Sequence, residues 1–136
     1  MIVVDTNLLV YLLHVEGQRT AEAEAVLRRD AAWAAPVLWR SEFRSILAGL
    51  VARRVLTLDD ALRIVVQVEV EHGMAGREYT EASSRVLLLV PQSSCSAYDC
   101  EFVSLARDLE VPLVTADRRV LNAFPSVAIA PVPFAA

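Results

Sequence analysis

Ile2, Val3 and Val4 stand near the head of the chain with no polar residue among them, and Asp5 ends the run. An apolar run this short and unalternating fits a strand covered on both faces by other elements. Similar runs return at 31–36 ("AAWAAP"), 111–115 ("VPLVT") and 127–130 ("VAIA"). None has the every-other-residue polarity of a sheet with one wet face. Strands of this kind need helices between them, because a parallel neighbour is reached only through a crossover.

The intervening segments supply those helices. Residues 6–14 suit one, broken by Gly17, and "RTAEAEAVLRR" (19–29) is helix-forming by composition. Apolar residues at 38, 43, 46, 47, 50 and 51 mark a longer helix over 37–54. Thr57 with Asp60 three residues on reads as a helix start, Gly73 and Gly76 as a turn, and 80–90 as a further helix. "PQSSCS" (91–96) is turn-rich, a helix follows over 97–109, and a short one begins near 117. The expectation is one α/β domain over residues 1–136, with a central, mostly parallel sheet of four to five short strands flanked by helices.

Composition narrows the chemistry. All 13 basic residues are arginine, so mechanisms that need a lysine are excluded, among them the Walker phosphate loop and Schiff-base catalysis. Cys95 and Cys100 lack the partners of a zinc site and read as free thiols. No apolar run approaches the ~20 residues of a membrane span, and no basic segment precedes an apolar one at the N-terminus. The expected setting is cytoplasmic. The net charge of −4 gives no sign of a nucleic-acid partner, but a sum hides its distribution.

Four acids fall in unusual places. Glu42 shares a helix face with Leu38 and Ile46, where a lone carboxylate is costly. Asp99 lies three residues after Ser96, and Asp117 follows "LVT" after one alanine. Asp5 closes the first strand. Each has a plain structural reading: Asp5, Asp99 and Asp117 as helix caps, Glu42 at the edge of an apolar stripe. Together they have another, since ligands of a parallel sheet bind where its strands end. Two carboxylates ~4 Å apart repel by about 4 kcal/mol at an effective dielectric near 20. Four converging acids therefore take up protons or a divalent cation, and all-oxygen ligands suit Mg²⁺ or Mn²⁺.

In "VVDTN" (3–7), Glu42, "SAYDCEFVSLA" (96–106) and "LVTADRRVL" (113–121), the sequence resembles a PIN-domain ribonuclease of the VapC toxin type. The resemblance covers nearly the whole chain and implies a PIN-like three-layer sandwich. It implies a metal-dependent endoribonuclease cutting single-stranded or loop RNA, a cognate antitoxin that blocks the site, and a homodimer. The family's acidic quartet carries onto Asp5, Glu42, Asp99 and Asp117. Asp5 and Asp99 are expected as the closest metal ligands, with Glu42 and Asp117 binding through water or orienting the nucleophile. Thr6, Asn7 and Thr115 match polar positions that hold those carboxylates or a water by hydrogen bonds.

Arg118 and Arg119 follow Asp117 and offer forked donors for RNA phosphate. Arg40 and Arg44 read as a surface pair or a partner contact, and Glu101 as solvent-facing. Trp33 and Trp39 read as core. Tyr11, Leu12 and the apolar positions of 43–51 read as core or as a dimer or antitoxin surface. His14 and His72 read as helix-end residues. Two rivals stay open. One is a phosphatase with Asp5 as nucleophile, disfavoured because Asn7 stands where a second aspartate is wanted. The other is a non-catalytic RNA- or protein-binding module of the same fold.

Overall fold

The computed structural model describes residues 1–13 and 17–136; His14 lies outside the described residues. Ile2–Val4 form β1, which is almost completely buried because neighbours cover both its faces. β1 is the middle of a five-stranded sheet. β2 (Trp33–Pro36) and β4 (Leu113–Val114) flank it, with Val3 opposite both Ala34 and Leu113. β3 (Glu78–Tyr79) lies outside β2 and β5 (Ala128–Ile129) outside β4. All pairings are parallel, so the sheet is wholly rather than mostly parallel.

Helices α1 (Thr6–Leu13), α2 (Gln18–Arg29), α3 (Trp39–Ala52) and α4 (Leu58–Val66) follow in chain order. Then come α5 (Ser83–Leu89), α6 (Ala97–Leu109), α7 (Arg118–Ala123) and α8 (Pro131–Ala135). Two starts are reciprocal capping boxes, Thr57 with Asp60 at α4 and Ser96 with Asp99 at α6. Trp33 and Trp39 are core, as expected, and Cys95 and Cys100 are buried free thiols.

The strands are shorter than their apolar runs, since pairing ends where the chain turns into the next helix. β3 was not among the expected strands. It has two residues, one of them charged, and its position comes from partners far away in sequence. Val37 N–H donates to Tyr79 O at 2.9 Å, and Trp39 Nε1–H donates to Glu78 Oε2 at the same distance. Arg40 completes the clamp by pairing with both Glu78 and Glu69. It is therefore no surface pair with Arg44: its side chain is 23% exposed and crosses from α3 to the sheet edge. Its neighbours hold its guanidinium above the usual value, and Glu78 is held below its own. Glu69 lies in a π-helical turn, Gln67–Glu71, that continues α4. α8 was also unforeseen; Pro131 occupies its first turn, where a missing N–H does no harm.

Phe43, Leu47 and Leu50 are core, and Tyr11 and Leu12 pack against it, so these positions leave no broad apolar face open. The exposed apolar side chains lie elsewhere. Leu58, Leu62, Val66 and Val70, four apart, are all more than half exposed along α4 and the turn after it.

Candidate active site

The plain structural roles of the acids are all fulfilled. Leu8 N–H donates to Asp5 Oδ1 at 3.0 Å, tying Asp5 to the start of α1. Ser96 N–H donates to Asp99 Oδ2 at 3.2 Å, and Arg119 N–H to Asp117 Oδ1 at 2.9 Å. These bonds do not exhaust the carboxylates. Asp5, Glu42, Asp99 and Asp117 also line one cleft of about 100 Å³, with Thr6, Asn7 and Thr115 beside them. Ile46, Phe102, Leu113 and Val120 form its apolar wall.

Parallel strands bring this about. β1 and β4 are neighbours pointing the same way, so the residues after them, Asp5 and Thr115, meet at one edge. Thr115, itself buried, donates its hydroxyl to Asp5 Oδ2 and accepts Asp117 N–H at 3.0 Å. Thr6 Oγ1–H donates to Glu42 Oε1 at 2.8 Å, fixing the α3 carboxylate against the start of α1. Glu42, Asp99 and Asp117 each give one oxygen to these bonds, and the second has no protein hydrogen bond among the described residues.

The electrostatics are those of an acid cluster: among the described residues no basic side chain lines the cleft, and Arg119 reaches only Asp117, from the rim. Burial pushes the Asp5 carboxyl from 3.8 up to about 6. Hydrogen bonds from Thr115 and Leu8 oppose that rise, and the charges of Asp117 and Glu42 add to it. Burial also raises Glu42, with help from the charge of Asp99. Among the described residues no three acidic, histidine or cysteine side chains stand close enough to ligate one ion as they are placed. The carboxylates share a cleft, but each is turned to its own local donor. The donor set, carboxylate, hydroxyl and amide oxygens, fits a hard divalent cation rather than zinc.

Other expected residues fall around the rim. Arg118 and Arg119 are exposed in the first turn of α7; Arg119 Nε lies 3.9 Å from Asp117 Oδ1, and neither lines the cleft. Glu101 was placed toward solvent, but it is half-buried and feels Glu42. Helical spacing put it far around α6 from Asp99; it did not show that the Glu42 carboxylate lies near that side.

A model of the PIN domain matches residues 2–128. The chain belongs to the PIN-domain family. Two solved structures share its shape. PAE2754 from Pyrobaculum aerophilum superposes with a TM-score of 0.69 at 19% identity, covering 98% of this chain and 92% of that one. FitAcB from Neisseria gonorrhoeae does so at 0.70 and 18%, covering 97% and 99%. At these identities the likeness speaks for the fold. No curated protein matches the sequence. PIN domains are in general nucleases, hydrolases of phosphodiester bonds. In this PIN domain Asp5, Glu42, Asp99 and Asp117 line the cleft, while Glu101 of the third motif does not.

Proposed function

We propose that this PIN domain is a metal-dependent endoribonuclease and the toxin of a toxin–antitoxin pair. The observation that carries the nuclease reading is the single cleft shared by Asp5, Glu42, Asp99 and Asp117 at the carboxyl edge of the sheet. A divalent cation, Mg²⁺ or Mn²⁺, when bound there supplies positive charge for the phosphate oxygens and makes water a better nucleophile. Asp5 and Asp99 are the residues we assign to hold it directly, with Glu42 and Asp117 acting through water. Thr115 and Thr6 fix the rotamers of Asp5 and Glu42, and Asn7, exposed at the mouth, presents an amide to an incoming strand. The apolar wall keeps bulk water from one side of the cleft, which strengthens the field of the acids.

Purified protein is expected to cut RNA in Mg²⁺ or Mn²⁺ and to stop in excess EDTA. Full cleavage in EDTA would remove the metal from the proposal. The rival binding module predicts RNA retention with no cut ends in any metal.

The toxin role rests on the sequence resemblance and adds an antitoxin and a homodimer. The stripe of Leu58, Leu62, Val66 and Val70 offers such a partner an apolar face. Expression of the chain alone is expected to arrest growth, and co-expression of its antitoxin to restore it. Normal growth at high levels of soluble protein would sink the toxin reading while leaving the nuclease intact.

A further inference from the structure

The acid cleft does not end at its own walls. Asp5, Asn7 and Asp117 also line a second cavity of about 240 Å³, together with Tyr11, Arg19 and Glu22. The Arg19 guanidinium lies 5.0 Å from the centre of the Tyr11 ring, and its Nη1–H donates to the Tyr11 hydroxyl at 2.7 Å. A cation is thereby held at a fixed place beside the acids. Glu42 and Ile46 also line a groove of about 440 Å³, together with Leu38 and Tyr98. Tyr98 precedes Asp99 in the first turn of α6 and is 64% exposed. Trp33, Trp39, Phe43, Phe102 and Phe124 are all buried, so Tyr98 offers the open ring face that they do not.

We propose that a single RNA strand crosses the acid cleft between these two flanks, with an unpaired base stacked on Tyr98 and a neighbouring phosphate paired with Arg19. The proposal rests on the nuclease reading above. The acids themselves repel a phosphate chain, so the grip on the strand must come from outside the quartet. Bases stack on an aromatic face without regard to sequence, and a guanidinium takes phosphate in a forked geometry. The two groups line different cavities, and each cavity shares walls with the acid cleft, so the three spaces adjoin. A base inside a duplex has both faces covered by its stacked neighbours, so a stack on Tyr98 favours single-stranded or looped RNA.

The probe is a short single-stranded RNA carrying 2-aminopurine at successive positions, with Ca²⁺ replacing Mg²⁺ so that binding is read without rapid turnover. With the wild-type chain one position should lose fluorescence through stacking. Tyr98→Ala should abolish that quench and weaken binding about tenfold, while Tyr98→Phe keeps both. Arg19→Gln should reduce the slope of log affinity against log salt by about 0.7, the loss of one single-strand phosphate contact. In Mg²⁺ both variants should raise KM and leave kcat within about threefold, since the acids are untouched. The proposal is overturned if the wild type cuts RNA but shows no quench at any position and Tyr98→Ala binds like the wild type. It is equally overturned if Tyr98→Ala loses a protein partner and nothing else. A wild-type chain that neither binds nor cuts RNA strikes the nuclease reading itself.

Discussion

Asp5→Asn is expected to lower RNA cleavage by about 10²–10³-fold, the scale of losing one preorganised charge-stabilising group, and at the same time to raise the melting temperature of the metal-free protein at pH 7.5. The two effects share a cause. Burial and the charges of Asp117 and Glu42 lift the Asp5 carboxyl from 3.8 to about 6. The folded state therefore holds this proton more tightly than the unfolded state does. Stability from this group is fully present below about pH 4 and declines as pH rises to about 6, above which an ionised acid sits among like charges. A shift of this size is worth at most about 3 kcal/mol. Asparagine keeps an oxygen for Leu8 N–H and removes the charge. Melts in EDTA from pH 3.5 to 7.5 should show the wild type losing more stability across that window than the variant does, since Glu42, also raised by burial, remains in both. A variant less stable than the wild type at pH 7.5, or one that cuts at the wild-type rate, would contradict the placement of Asp5.

The second large effect lies in the sheet edge. Arg40→Ala should destabilise the fold by about 2–4 kcal/mol, because breaking a mostly buried pair leaves its carboxylates unmatched, and should lower the melting temperature by about 6–12 °C. Glu78 loses its cation at 14% side-chain exposure and Glu69 at 29%. The loss should shrink in acid. Arg40 holds Glu78 below its usual range, so this stability is present above about pH 4.5 and fades as pH falls and Glu78 takes up a proton. Adding Glu78→Gln to Arg40→Ala should recover part of the deficit in thermal melts. An Arg40→Ala protein that melts with the wild type would mean that the clamp contributes nothing to the edge.

The parts legible in the sequence are those whose signals are local. The strand at 2–4 is apolar without interruption, and Ser96 with Asp99 carries a complete capping signal. The acids were legible for a less simple reason: each is a good local structural residue, and only their order along a parallel sheet suggested that they share a cleft. β3 was illegible, since Glu78 and Tyr79 carry no strand signal and depend on Arg40 and Trp39, some forty residues earlier. Arg40 was misread for the same reason, because helical spacing shows which face a side chain leaves and not what waits across from it. Glu101 repeats the lesson at α6.

The bond between Thr115 and Asp5 spans 110 residues of sequence. The strand in the middle of the sheet is therefore made well before β4, one of its two neighbours. At about 5–20 residues per second, several seconds to some twenty seconds pass before the nascent chain can close its own cutting edge. Whatever chemistry the cleft performs must wait until both strands have been made, and a partner present during that interval can meet the chain first.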